Sequence, residues 1–251
     1  MQHASQLRIC RYDVIDSTNT QARRLAGEGD SSPLLIIARE QSAGRGRLGR
    51  SFFSPADTGL YMTLLYYPDR SVAELTGLTC AAAWASALAV EQLCGISSQI
   101  KWVNDLYLGG RKVCGILCES FGTPHGTAIA VGIGINLTTK DFPDNLGGIA
   151  GSLQSKIDPE VLALRICEHL LPYLQSGDNT LWLDGYRARF MLRGMRVSCI
   201  TADGTFPATA LDITDEGALK VQTDDGKMHI LYAGEVSISA TDPASPFYKN
   251  S

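Results

Sequence analysis

The sequence predicts an α+β fold in two parts, strands and helices over residues 1–193 and a small all-β unit over residues 194–251. Three observations lead there. Residues 72–93 form the longest helical pattern, alanine-rich with small residues on most faces, which suits a helix packed closely on a sheet. Two β-type runs, residues 100–108 and 113–120, flank Gly109-Gly110, and such a pair between strands signals a two-residue hairpin. Beyond Gly194 five short β-type runs follow one another, separated by Asp-Gly, Glu-Gly and Ala-Gly turns, as in a small barrel.

The elements follow in order. A strand over 7–14 leads into a helix over 18–28. Asp16, Ser17 and Thr18 are good helix-capping types, and Thr18-x-x-Gln21 fits a capping box. A short apolar strand covers 34–39, and 41–54 is polar and glycine-rich, hence a loop. A strand over 60–67 stops at Pro68. After the long helix and the hairpin comes a strand over 127–137, then helices over 159–174 and 180–192. The final strands fall at 196–200, 205–213, 219–222, 228–232 and 235–239.

The 251 residues, 45% hydrophobic and 19% charged, can bury a sizeable core. No run approaches the ~18 apolar residues of a membrane span, and the first ten residues lack the apolar stretch of a signal peptide. A cytoplasmic protein without a membrane partner is expected. The net charge of −4 argues against DNA as the main partner. The seven cysteines are odd in number, with no Cys-x-x-Cys and no Cys/His cluster, so they read as ordinary thiols.

Four segments carry chemistry. In Ser42-Ala-Gly-Arg-Gly-Arg-Leu-Gly-Arg50, three arginines interleave with three glycines. Arginines this close repel unless an anion gathers them, each charge-assisted contact returning about 1.5–3 kcal/mol. The segment reads as a phosphate loop, loose when empty and ordered over an anionic ligand. The alternatives are a solvated basic loop or a nucleic-acid patch; it is not a P-loop. The second segment is Lys101-Trp-Val-Asn-Asp105 with Lys112. If Gly109-Gly110 closes the hairpin, Leu108 pairs with Arg111 and Asp105 with Cys114, which sets Lys112 diagonal to Asp105 on one face. That pair suits a site gathering a nucleotide, Mg²⁺ and a carboxylate, or is an ordinary cross-strand ion pair. In the third, Gly132-Ile-Gly-Ile-Asn136, alternation puts Gly132, Gly134 and Asn136 on one face. A flat ligand could lie there, or the alanine-rich helix could cover it. The fourth, Asp16-Ser-Thr-Asn19, is a helix cap or the holder of a ligand's polar end.

Together and in this order, these strings, with Glu40-Gln-Ser-Ala-Gly-Arg-Gly-Arg47 and Arg111-Lys-Val-Cys-Gly-Ile-Leu-Cys-Glu119, resemble the biotin protein ligases (biotin–acetyl-CoA-carboxylase ligases). The resemblance covers about residues 12–137 and continues weakly to Gly234-Glu-Val-Ser-Ile238. It implies a mixed or antiparallel sheet with helices and a C-terminal SH3-like barrel. It implies ATP and biotin as substrates with Mg²⁺, a biotinyl-5′-AMP intermediate, and transfer to a lysine of a biotin carboxyl carrier domain. By resemblance, Ser17, Thr18, Asn19, Gln41, Gly44, Arg45, Gly46, Arg47, Lys112 and Gly115 hold biotin. Arg47, Arg50, Phe52, Asn104, Asp105, Lys112 and Asn136 meet the nucleotide, and Asp105 the metal. Lys112, Arg47 and Arg50 carry the catalysis.

Phe52 stands where the family commonly has Trp, and Val103 where it has Pro. Only about six residues precede the first expected strand. Family members that also repress transcription carry a helix-turn-helix there, so an enzyme without that role is expected. A sheet edge is open either to a homodimer or to the carrier. The competing readings are a lipoate or octanoate ligase, which shares the fold and the acyl-adenylate logic, and a non-catalytic biotin-binding regulator.

Overall fold

β3 (Gly59–Tyr66) is buried at all eight positions, which requires strand neighbours on both edges and cover on both faces. In the computed structural model, which describes residues 7–28 and 31–238, it has both. On one edge lie β2 (Leu34–Gln41) and then β1 (Arg8–Ile15); on the other, β7 (Gly126–Asn136), β6 (Arg111–Thr123), β5 (Asp105–Leu108) and β4 (Gln99–Lys101). β1 and β2 run parallel and every other pair antiparallel, the mixed sheet that the resemblance implies.

The two faces of β7 are covered differently. Ile129, Val131, Ile133 and Ile135 join the main core with α2 (Leu78–Cys94), whose alanines let it lie close to the sheet. α3 (Pro159–Ser176) and α4 (Leu183–Arg189) back α2; α3 starts where Asp158 accepts the backbone N–H groups of Glu160 and Val161. On the opposite face, α1 (Thr18–Ala26) packs Ala22 and Ala26 on Ala128, Ala130, Leu34, Ile36 and Leu65. Along that face β7 reads Ala128, Ala130, Gly132, Gly134, Asn136, so the sheet loses side-chain bulk where α1 begins.

A second sheet is ordered β11 (Met228–Leu231), β10 (Leu219–Gln222), β9 (Gly204–Ile213), β8 (Arg196–Thr201), β12 (Glu235–Ile238), all antiparallel. These are the five expected C-terminal strands. Residue 239 of the last one, and the leading residues behind the expected lack of an extension, lie outside the described residues. The β9–β10 turn reaches into the first sheet: the Gly217 carbonyl accepts the Trp102 indole N–H at 3.0 Å, and Arg187 on α4 donates to the Ile213 carbonyl. Among the described residues no helix is long and apolar enough to cross a membrane.

Three expectations need correction. The helix expected over 72–93 starts at Leu78, and Val72–Glu74 is a separate 3₁₀ turn with its own capping box from Ser71 and Glu74. Gly77 stands between them because a Cβ there would lie 2.2 Å from the Trp182 ring. The single strand expected over 100–108 is two antiparallel strands, β4 and β5, with Lys101 opposite Asp105 and a cis peptide between Trp102 and Val103. Alternation alone does not distinguish a continuous strand from one that folds back. The helix expected over 180–192 divides into a 3₁₀ turn, Asn179–Leu181, and α4.

Gly77→Ala should destabilise the protein by about 1–3 kcal/mol, the cost of overpacking against fully buried Trp182. Urea denaturation monitored by tryptophan fluorescence measures it.

Candidate active site

Where β7 runs out of side chains, the sheet floors a cleft of about 480 Å³, a volume suited to a small organic ligand. Directly paired residues of antiparallel strands share a face. Tyr61, Gly134, Gly115, Asp105 and Lys101 therefore form one row across β3, β7, β6, β5 and β4. Thr63, Gly132 and Leu117 form the next. The glycines make room for protein side chains: a Cβ on Gly132 would lie 2.0 Å from Asn19 Oδ1, and one on Gly134 would lie 2.5 Å from the Phe52 ring. The alanine-rich helix is on the other face, so the reading in which it covers the glycines is set aside.

Lys112 reaches the cleft through a bulge. Asp105 pairs with Gly115, not with Cys114 as expected, and β6 holds an extra residue between Cys114, opposite Leu106, and Lys112, opposite Tyr107. Strict alternation from Gly115 would turn Lys112 away from Asp105. The bulge turns it back, and Nζ lies 2.7 Å from Asp105 Oδ1, with side chains 30% and 16% exposed. Lys101 faces the same space. Burial pushes its pKa below the ordinary lysine value, with Asp105 opposing and Lys112 reinforcing the shift.

The arginine loop is closed at its neck by the backbone bonds Gln41 N–H to Ser54 O, Phe52 N–H to Gly44 O and Gly46 N–H to Arg50 O. Its arginines find acceptors within the protein itself. Arg45 makes a two-bond pair with Glu119, and Arg50 pairs with Glu235 at 2.7 Å. Arg47 donates to two neutral oxygens, Asn104 Oδ1 at 3.2 Å and the Gly234 carbonyl at 2.9 Å. Among the described residues it is the loop arginine without a carboxylate partner.

The start of α1 is also built differently from the expected capping box. Ser17 heads the helix without a side-chain capping bond. Instead, Gln41 Oε1 accepts both the Thr18 N–H at 2.8 Å and the Thr18 hydroxyl at 3.1 Å, while Gln41 Nε2 donates to Ser54. Gln21 bonds the Tyr12 hydroxyl. Asn136 donates to the Gly151 carbonyl, and among the described residues its buried Oδ1 has no partner.

All the site residues expected from the sequence line this one cleft except Gly44, which serves the loop neck: a Cβ there would lie 2.4 Å from the Phe52 carbonyl. Sequence reasoning missed two walls. One is Phe142, Leu146, Ile149 and Ala150, on a segment whose backbone bonds Lys112 N–H to Ile149 O and Gly151 N–H to Lys112 O; it has no periodicity to betray it. The other is Glu235 and Val236 of the second sheet, foreshadowed only by the weak resemblance at Gly234-Glu-Val-Ser-Ile238. Among the described residues no three His, Cys, Asp or Glu side chains cluster as a metal site.

Residues 12–136 match the biotin/lipoate A/B protein ligase family, and residues 194–239 match the biotin protein ligase C-terminal domain. The chain is 31% identical over 237 residues to the bifunctional ligase/repressor BirA of Bacillus subtilis, covering 90% of this chain and 73% of that protein. It is 45% identical over 149 residues to the biotin–[acetyl-CoA-carboxylase] ligase of Paracoccus denitrificans, covering 58% of each. Among solved structures, the biotin protein ligase from Aquifex aeolicus in complex with biotin and ATP superposes with a TM-score of 0.76 at 23% identity, covering 92% of this chain and 98% of that one. That likeness bears on the fold.

Because Gln41 rather than Ser17 satisfies the first turn of α1, Gln41→Met should cost about 0.5–2 kcal/mol, the usual worth of a cap. Ser17→Ala should cost clearly less. Paired urea denaturations give the order, and a larger loss for Ser17→Ala would overturn the assignment.

Proposed function

The chain belongs to the biotin/lipoate A/B protein ligase family, its C-terminal match placing it with the biotin protein ligases, and we propose that its cleft makes biotinyl-5′-AMP from biotin and ATP and passes the biotinyl group to a lysine of a biotin carboxyl carrier protein. One observation carries this reading. A lysine held by an aspartate lies on a glycine floor beneath an arginine loop, and one arginine of that loop lacks a carboxylate partner.

The first step joins two anions. A biotin carboxylate oxygen attacks the α-phosphorus of ATP, and the bond from that phosphorus to the pyrophosphate oxygen breaks. Negative charge gathers where carboxylate and phosphate meet, and preorganised cations there lower the barrier. Lys112 stands at that junction with its ammonium held by Asp105. Arg47, steadied by Asn104, brings its uncompensated charge to the phosphates, and Arg50 does so by exchanging Glu235 for a phosphate oxygen. In the second step the carrier lysine's amine attacks the mixed-anhydride carbonyl, forming the amide and releasing AMP.

Ser17, Thr18, Asn19, Gln41, Arg45 and the Gly46 backbone form the biotin end. Phe52, lying over Gly115 and Gly134, separates that end from the nucleotide end, where the free Oδ1 of Asn136 offers an acceptor for an amine of the base. Asp105 suits Mg²⁺ brought in on ATP, since magnesium is commonly held by one or two carboxylates together with substrate phosphates; when bound it would offset phosphate charge. We assign the chemistry chiefly to residues 1–193, with residues 194–251 contributing the wall at Glu235 and Val236. The match of residues 194–239 to a biotin protein ligase domain favours biotin over lipoate.

Lys112→Ala should slow biotin-dependent pyrophosphate release by roughly 100-fold or more, the loss seen when one donor to developing charge is removed. Wild-type rates in that variant would remove Lys112 from the mechanism. Incubation with ATP and either biotin or lipoate tests the substrate, and release driven by lipoate alone would overturn the reading. Transfer of labelled biotin to a carrier domain, with ATP omitted as control, tests the second step.

A further inference from the structure

Glu119 has no role in the reading above, yet the side chains of both Arg45 and Asn19 at the biotin end donate to it. It stands on β6 opposite Ala130, on the floor face, one row beyond Leu117 and Gly132. Its side chain is 19% exposed. Oε1 accepts from Arg45 Nη2 at 3.0 Å; Oε2 accepts from Arg45 Nη1 at 3.0 Å and from Asn19 Nδ2 at 2.9 Å.

Asn19 is fixed in turn. It is 4% exposed, it donates its second amide hydrogen to the Leu117 carbonyl at 3.1 Å, and its Oδ1 accepts from fully buried Thr63 at 2.7 Å. It also occupies the space that Gly132 leaves empty. A chain of bonds thus runs from Thr63 on β3 through Asn19 on α1 and Glu119 on β6 to Arg45 on the loop. It ties the loop to three elements of the first sheet's layer.

We infer that Glu119 is a positioning residue for biotin, holding the Arg45 guanidinium in one plane so that the loop closes over the acid. This rests on the biotin ligase reading. The two-bond pair fixes both the distance and the plane of the guanidinium, which a lone acceptor does not. The pair is also electrically neutral. Arg45 therefore adds little attraction for the biotin carboxylate; it shapes the wall and presents its remaining N–H groups, while Lys112 and Arg47 meet the charge. Glu119 touches neither substrate nor reacting atoms, so its effect falls on binding.

Glu119→Gln is the test. Arg45 and Asn19 both donate to the Glu119 oxygens, so an amide NH₂ opposes a donor in either orientation. The variant should raise the biotin KM roughly tenfold while the biotin-saturated kcat and the ATP KM stay within about twofold. Arg45→Ala should raise the biotin KM similarly, and the double variant no further than the larger single change, because both remove one interaction. Glu119→Asp, which keeps the charge on a shorter stem, should fall between. Thermal denaturation run beside the kinetics identifies a folding defect, which would lower kcat with both KM values unchanged and would count against positioning. An unchanged biotin KM in Glu119→Gln, or additive effects in the double variant, overturns this proposal and leaves the ligase reading standing. A wild-type enzyme that releases no pyrophosphate with biotin overturns both.

Discussion

One face of β7 shrinks from alanine to glycine along its length, and the position of the whole cleft depends on that gradient. At Ala128 and Ala130 there is enough side chain to seat α1; at Gly132 and Gly134 there is none, and the sheet backbone becomes a floor. The start of α1 and the neck of the arginine loop meet there, sending Asn19 and Phe52 down onto the two glycines. The opposite face keeps its branched residues and holds α2. One strand therefore supplies the core contact on one side and the ligand space on the other, through alternation alone.

Charge in the cleft is arranged pair by pair. Arg45 has Glu119, Arg50 has Glu235 and Lys112 has Asp105, which offsets the mutual repulsion of cations held close together and keeps them oriented. Arg47 has, among the described residues, only an amide and a carbonyl oxygen. The three pairs hold their cations in fixed directions, while Arg47 keeps a charge that no carboxylate among the described residues shares.

The second sheet is part of the same construction. Its β9–β10 turn accepts the Trp102 indole through Gly217, and thereby braces the turn that presents Asn104 and Asp105. Its β11–β12 turn offers the Gly234 carbonyl to Arg47 and Glu235 to Arg50. Removing that sheet would take one bond from the Trp102 turn and the acceptors at Gly234 and Glu235 from the arginine loop, although most of the residues facing the cleft belong to the first sheet.

Much of this was legible before folding. Strand and helix positions followed from hydrophobic periodicity, because burial imposes a period of two or 3.6 on any chain that packs. The four chemical strings were visible as clusters of glycine, arginine, lysine and asparagine, and their order pointed to the family. What stayed hidden was whatever depends on register and on distant neighbours. Alternation puts Lys112 on the face of Asp105 with Cys114 opposite; the structure keeps that face by another register, in which Asp105 pairs with Gly115 and a bulge that no alternation pattern announces brings Lys112 back. The helix start is satisfied by Gln41 from a strand 23 positions away, which local capping rules do not anticipate. Glu235, Phe142, Leu146, Ile149 and Ala150 face the cleft, and Glu119 meets Arg45, only because separate elements come together there. The sequence by itself determined which segments could be strands, helices and ligand loops, since those depend on near neighbours along the chain. The tertiary structure decided the register that seats Lys112 on Asp105 and the meetings of Arg45 with Glu119 and of Arg50 with Glu235, 74 and 185 positions apart, since those depend on how separate elements pack.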